Sequence, residues 1–179
     1  MASDNRSWSI VLFLALLLYY HSIVVTAADQ ALLDKICQLA QSYDFCLSTL
    51  RNDPRTGQAD LRGLSLISIA ITIDEVRDVS DRLPNIPVPN HPVDQQRKKA
   101  CQTDYSDALT SFQKAYQTSA KGDYWGVIDL VRVGANKAID CEDIYKRDPI
   151  SVSPVSTDNH KVIQLAEITL IVIDFLTRH

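Results

Sequence analysis

The sequence predicts an all-α fold: an up-down-up-down four-helix bundle, preceded by a short N-terminal helical hairpin and held by two disulfide bonds. Apolar residues recur every three or four positions over most of the chain, which is typical of helices that bury one face. Prolines and glycines fall in short segments between these runs and predict turns there. The two central runs each carry a cysteine on the apolar side, at nearly the same distance from the turn that joins them.

The segment 1–28 indicates a secretory signal peptide. A basic residue precedes the apolar run Ile10–Tyr20, and small residues follow up to Ala28. The apolar run is too short for a membrane-spanning helix, which needs about 20 residues. We expect cleavage after Ala27 or Ala28, which leaves a single domain over residues 29–179.

A stapled helical hairpin is predicted at the start of this domain. Four cysteines allow three pairings, and the central hairpin described below selects Cys101–Cys141, which leaves Cys37–Cys46. In one continuous helix Cys37 and Cys46 would lie about 13.5 Å apart, too far for a disulfide. The chain therefore turns back near Ser42, and two short helices flank that turn.

The segment 59–83 is ambiguous between strand and helix. Its stretch Ile67–Ile73 alternates and is rich in β-branched residues, which favours a strand. However, apolar residues also follow helical steps up to Leu83, and the segment is much longer than a usual strand. Because the sequence offers no partner strand, we predict a helix over 59–83. The proline-rich linker Pro84–Pro92 ends it.

The central hairpin is predicted from its turn. Gly122 can end one helix in a left-handed conformation, and Asp123 can cap the next. Cys101 and Cys141 lie at nearly equal distances from Gly122 along opposite arms, both on the inward stripe. Residues equidistant from the turn face each other in an antiparallel pair, so we expect these cysteines to bond. The two helices are predicted at 93–121 and 124–147.

The last predicted helix covers 157–178, with Thr157 or Asp158 as its N-cap. Its apolar stripe, from Val162 to Leu176, is broad. This breadth indicates burial on more than one side, as expected for a helix inside a bundle.

Several classes of function are excluded by composition and motifs. The net charge is −4 and there is no basic run, which argues against nucleic-acid binding. No catalytic motif and no metal-ligand spacing is present, and disulfide pairing leaves no free thiol nucleophile. We therefore predict a protein that is not an enzyme, has no cofactor or metal, does not contact a membrane and is monomeric when free.

The aromatic pair Tyr124-Trp125 follows Asp123 at the start of a helix. Consecutive helical residues diverge by about 100°, so both rings cannot face the core equally. One interpretation is a hydrophobic staple over the hairpin end. The other is an anchor for a protein partner, since Trp and Tyr are enriched in interface hot spots. We assign Asp123, Tyr124 and Trp125 as candidate partner-binding residues and expect Trp125 to be exposed in the free protein.

Several short segments, together with the four cysteines, carry a family resemblance. They are Tyr43-Asp44-Phe45-Cys46, Asp60-Leu61-Arg62-Gly63-Leu64, Gly122-Asp123-Tyr124 and Cys141-Glu142-Asp143. With its signal peptide, the chain resembles the plant invertase and pectin methylesterase inhibitor family over the whole mature length. It is most similar to members named as invertase inhibitors, some of which are pollen allergens.

The resemblance implies a four-helix bundle with an N-terminal hairpin and disulfides between successive cysteines. It also implies one-to-one inhibition of a plant cell-wall or vacuolar enzyme. Invertase inhibitors of the family carry Pro-Lys-Phe directly after Gly-Asp, where this chain has Tyr124-Trp125-Gly126. Gly-Asp-Tyr is typical of the pectin methylesterase inhibitors, so pectin methylesterase and acid invertase both remain candidate targets.

The sequence leaves more than one function open. The first hypothesis is a secreted inhibitor of the apoplast or cell wall, with the vacuole as the alternative location, that blocks the active-site cleft of its target. The second is a structural or storage-like pollen protein without an enzyme target. A third, a carrier of apolar ligands, requires a cavity between the helices.

Overall fold

The computed structural model describes residues 30–178, and this part of the chain is helical without any strand. The predicted signal peptide lies outside the described residues. The helices are α1 (30–37), α2 (Tyr43–Asn52), α3 (Leu61–Arg82), α4 (Pro92–Ala120), α5 (Tyr124–Asp143) and α6 (Ser156–Thr177). Short 3-10 turns occupy Thr56–Gln58, Leu83–Asn85 and Ile144–Lys146.

Helices α3 to α6 form the predicted bundle. Each packs against the next in the chain, and α6 packs against α3, which closes the ring. The connections are short, so sequential neighbours run antiparallel. The up-down-up-down topology inferred from the sequence is confirmed.

The ambiguous segment is helix α3, and the strand interpretation is wrong. The Asp60 side chain accepts a hydrogen bond of 2.7 Å from the backbone N–H of Gly63 and caps the helix. The buried hydroxyl of Thr72 donates to the Ser68 carbonyl at 2.9 Å, so its polar group is satisfied within the helix. Isoleucines such as Ile69 are buried, and this packing outweighs their preference for strands.

The two disulfide bonds have the pairing that was predicted from the sequence. Cys101 on α4 bonds Cys141 on α5, with their Cα atoms 4.8 Å apart. Cys37 bonds Cys46 across the N-terminal hairpin, with a Cα–Cα distance of 5.4 Å. All four side chains are buried.

The N-terminal hairpin has a small core of its own against the bundle. Leu33 and Ile36 from α1 and Leu50 from α2 pack with Ile168 and Val172 of α6. The hairpin therefore packs against the bundle, mainly on one side of α6.

Helices α4 and α5 approach closely where a glycine faces an aromatic ring. A Cβ atom at Gly134 would lie 2.6 Å from Cε2 of Phe112, and Phe112 is fully buried. Glycine at this position allows the Phe112 ring to lie directly against the α5 backbone.

The end of α5 differs from the prediction of a helix to residue 147. The α-helix ends at Asp143 and a 3-10 turn follows. The buried Arg97 donates to the Arg147 carbonyl at 2.7 Å and to Ser151 Oγ at 2.9 Å. A residue 50 positions away in the chain therefore holds the segment after α5.

The start of α6 also differs from the prediction, since neither Thr157 nor Asp158 is its N-cap. Val155 occupies that position and provides no side-chain cap. Instead, the Glu142 carboxylate of α5 accepts hydrogen bonds from Ser156 Oγ at 2.8 Å and from Asn159 Nδ2 at 2.7 Å. A carboxylate suits the positive end of the helix dipole.

Asn159 links three helices in the interior. Its Oδ1 accepts a 2.8 Å hydrogen bond from the Tyr105 hydroxyl of α4, while its Nδ2 donates to Glu142 of α5. Asn159 is fully buried. Burial raises the pKa of the Tyr105 phenol, which keeps the hydroxyl protonated as a donor.

We expect Asn159→Leu to lower the free energy of unfolding by about 3 kcal/mol, because it leaves the buried Tyr105 hydroxyl without its acceptor and removes a donor to Glu142. Tyr105→Phe is the matched control, since it removes a single hydrogen bond at a cost of about 1 kcal/mol. Urea denaturation followed by circular dichroism measures both. Equal losses in the two variants would contradict this role for Asn159.

Candidate functional site

The corner between α4 and α5, residues 121–126, is built by local hydrogen bonds. Gly122 has a φ angle of +82°, the left-handed conformation that glycine adopts readily. The amides of Gly122 and Asp123 donate to the carbonyls of Ser119 and Thr118 at 2.9 and 3.2 Å. These bonds satisfy the last carbonyls of α4 and fix the direction in which the chain leaves it.

Asp123 caps α5, as predicted. Its Oδ1 accepts a hydrogen bond of 3.0 Å from the Gly126 amide. A Cβ atom at Gly126 would lie 2.5 Å from Asp123 Oδ2, so glycine at this position leaves room for the capping carboxylate. Asp123 thus has a structural role, although its side chain is also exposed.

The two aromatic residues of the corner diverge. Trp125 is 71% exposed, whereas Tyr124 is partly buried and packs against the bundle core. The expected exposure of Trp125 is confirmed, and Tyr124 takes the role of the staple. A large apolar ring is therefore presented to solvent at the end of the bundle opposite Cys101–Cys141.

A contact that sequence reasoning missed ties the corner to α3. Arg62 Nη2 donates to the Ala120 carbonyl at 3.0 Å. A guanidinium is favourable at the negative end of a helix dipole. Arg62 lies in the first turn of α3, and its sequence neighbourhood gives no sign of this partner.

A groove between α5 and α6 was also missed. Its lining includes two small residues, Ala135 on α5 and Ala166 on α6, and its volume of about 510 Å³ is open to solvent. Ile128, one turn after Trp125, also lines the groove.

Within residues 30–178, no three histidine, cysteine, aspartate or glutamate residues are grouped so that they could hold a metal ion. In the same range, no helix combines the length and apolar character needed to cross a membrane.

Comparisons with known proteins agree on one family. Residues 31–172 match the family model of the plant invertase/pectin methylesterase inhibitors. "Pectinesterase inhibitor 5" of Arabidopsis thaliana is 33% identical over 169 residues, which cover 93% of this chain and 94% of that protein. A "Putative invertase inhibitor" of Platanus acerifolia is 29% identical, with coverage of 93% and 94%.

The fold agrees as well. A crystal structure of a mutant pectin methylesterase inhibitor from Arabidopsis superposes with a TM-score of 0.68 at 22% identity, covering 78% of this chain and 93% of that one. These relatives are inhibitors rather than enzymes, in agreement with the non-enzyme expected from the sequence. The chain belongs to the plant invertase/pectin methylesterase inhibitor family.

Proposed function

We propose that the protein is a secreted monomeric inhibitor that binds pectin methylesterase or acid invertase one-to-one and blocks the active-site cleft. The observation that carries this proposal is the exposed Trp125 on the rigid corner of residues 121–126. Family membership supports a plant enzyme as the partner. The predicted signal peptide supports location in the apoplast or cell wall, with the vacuole as the alternative.

The corner is suited to a cleft because little of it has to be ordered on binding. Ordering a flexible loop costs binding energy, whereas this turn is already fixed by the hydrogen bonds of Gly122, Asp123 and Gly126. Trp125 offers a large apolar surface for burial, and the exposed Asp123 offers a charged group for polar contacts at the edge.

The target is tested by assaying pectin methylesterase and acid invertase separately with the purified protein in mildly acidic buffer. Gly-Asp-Tyr at 122–124 favours pectin methylesterase, while the relatives include proteins named for each enzyme. Inhibition of either enzyme supports the proposal. If neither enzyme is inhibited by about 10 µM of the protein, a concentration at which any complex of useful affinity would form, the structural or storage-like alternative is favoured.

We expect Trp125→Ala to raise the inhibition constant about 30-fold or more, corresponding to the loss of roughly 2 kcal/mol at a hot spot. The melting temperature should stay nearly unchanged, because the ring is 71% exposed. Ile150→Ala is a suitable control, since Ile150 is 75% exposed in the loop that joins α5 and α6 at the other end of the bundle. Unchanged inhibition with a strongly lowered melting temperature would make Trp125 a structural residue.

A further inference from the structure

The outer surface shared by α5 and α6 carries a groove with partly exposed apolar walls. We call it the α5–α6 face. It contains the groove of about 510 Å³, with Ile128, Ile163, Leu170 and Ile171 along its walls. Trp125 lies one turn before Ile128 on α5, in the adjoining corner of residues 121–126, and is 71% exposed. An apolar groove of this kind can receive an anchoring side chain of a partner protein.

The charged residues of the face are divided between its two sides. Arg132 lines the groove from α5, and Glu167 and Asp174 line it from α6. Within the described residues, Arg132 makes no ion pair and Glu167 makes none either. Glu167 accepts one hydrogen bond, from the Gln41 amide at 3.2 Å. A cation and an anion thus remain available on opposite sides of one apolar groove.

The positions of Arg132 and Glu167 suit a two-fold axis along the groove. Arg132 lies before Asp143, the last residue of α5, and Glu167 lies after Ser156, the first residue of α6. The number of positions is the same in both cases. Since the end of α5 and the start of α6 lie at the same end of the bundle, the two residues lie at about the same level of the antiparallel pair. In a two-fold dimer each residue faces its counterpart reciprocally, so rotation about this axis brings Arg132 of one copy opposite Glu167 of the other, twice.

We propose that the α5–α6 face pairs with the same face of a second copy of this chain. Two reciprocal ion pairs between Arg132 and Glu167 fix how the two copies align along the groove. Each copy covers the apolar walls and Trp125 of the other. A second copy fits this face because the face carries both charges and is complementary to itself. At low concentration the monomer of the proposed inhibitor prevails, and the dimer forms as the concentration rises. The dimer covers the same Trp125 that the proposed inhibitor presents to its target, so the monomer is the inhibitory form. Association of the free protein is measured without any target enzyme, so its failure is distinguishable from failure of the proposed function.

Charge reversal tests this pairing by sedimentation velocity of the secreted chain between about 1 µM and about 1 mM, the range of weak association. We expect the wild type to dimerise as its concentration rises. Arg132→Glu or Glu167→Arg alone should weaken the dimer roughly tenfold or more, because each places like charges opposite each other twice. An equimolar mixture of the two variants should dimerise again, since both pairs then have opposite charges. Lys114→Glu, an exposed change on α4, is the control and should have no effect.

Two further measurements keep the test decisive. Trp125 is the single tryptophan outside the predicted signal peptide, so its emission should shift to shorter wavelength as the dimer forms. Glu167→Gln retains an acceptor for the Gln41 amide and replaces Glu167→Arg if that variant does not fold. Mixed with Arg132→Glu, it removes the like-charge contact and should restore part of the association. A chain that stays monomeric throughout, a mixture that does not recover, or a dimer without the emission shift would overturn the proposal.

Discussion

Replacing Cys101 and Cys141 together by alanine is expected to lower the free energy of unfolding by about 4 kcal/mol. The disulfide joins cysteines that are 40 positions apart, and the entropy that it removes from the unfolded chain corresponds to this amount. For a domain of this size the melting temperature should fall by roughly 8–16 °C. The bond lies in the bundle core between α4 and α5, so loosening should be greatest at the end of the bundle away from Gly122.

The matched control is the pair Cys37→Ala and Cys46→Ala. This bond joins cysteines only 9 positions apart, for which the same relation gives about 2.6 kcal/mol. Urea denaturation of both double variants measures the difference. Peptide mapping without reduction gives an independent check. A peptide joining Cys46 to Cys101, or a larger loss at the shorter loop, would contradict this account.

Gly134→Val is expected to cost about 3 kcal/mol, the upper part of the range for overpacking a core. The new side chain would begin 2.6 Å from the Phe112 ring, and Phe112 is fully buried, so moving the ring would disturb its packed neighbours. The helices α4 and α5 would have to separate at the centre of the bundle. Thermal unfolding, followed by the loss of helical circular dichroism and compared with that of the wild type, measures the loss of stability.

Two variants separate this clash from a general effect of replacing glycine. Gly57→Val should change stability by less than about 0.5 kcal/mol, because a side chain at Gly57 meets nothing within 4 Å. Adding Phe112→Leu to Gly134→Val should recover part of the loss, because the smaller side chain leaves room for valine. If the double variant were as unstable as the sum of the single changes, the close contact would not be the cause.

The corner could be predicted from the sequence because its determinants are local. Gly122 and Asp123 act on atoms that are close to them in the chain. The divergence of Tyr124 and Trp125 follows from helix geometry alone. The sequence pattern could not predict the contact of Arg62 with the Ala120 carbonyl, because it joins residues 58 positions apart.

The sequence by itself determined the number of bundle helices, their order and the cysteine pairing, because helical periodicity and distance from a turn are properties of a single hairpin. The sequence also predicted a helix over 59–83 from its length and the lack of a partner strand. Only the tertiary structure shows the burial between α4 and α6 that overrides the strand preference of its isoleucines. It also decided where α6 begins, because the carboxylate at that helix end belongs to Glu142 of α5. The α5–α6 groove is lined from both helices, by Ala135 and Ala166 among others, and these residues line one groove only when the helices pack.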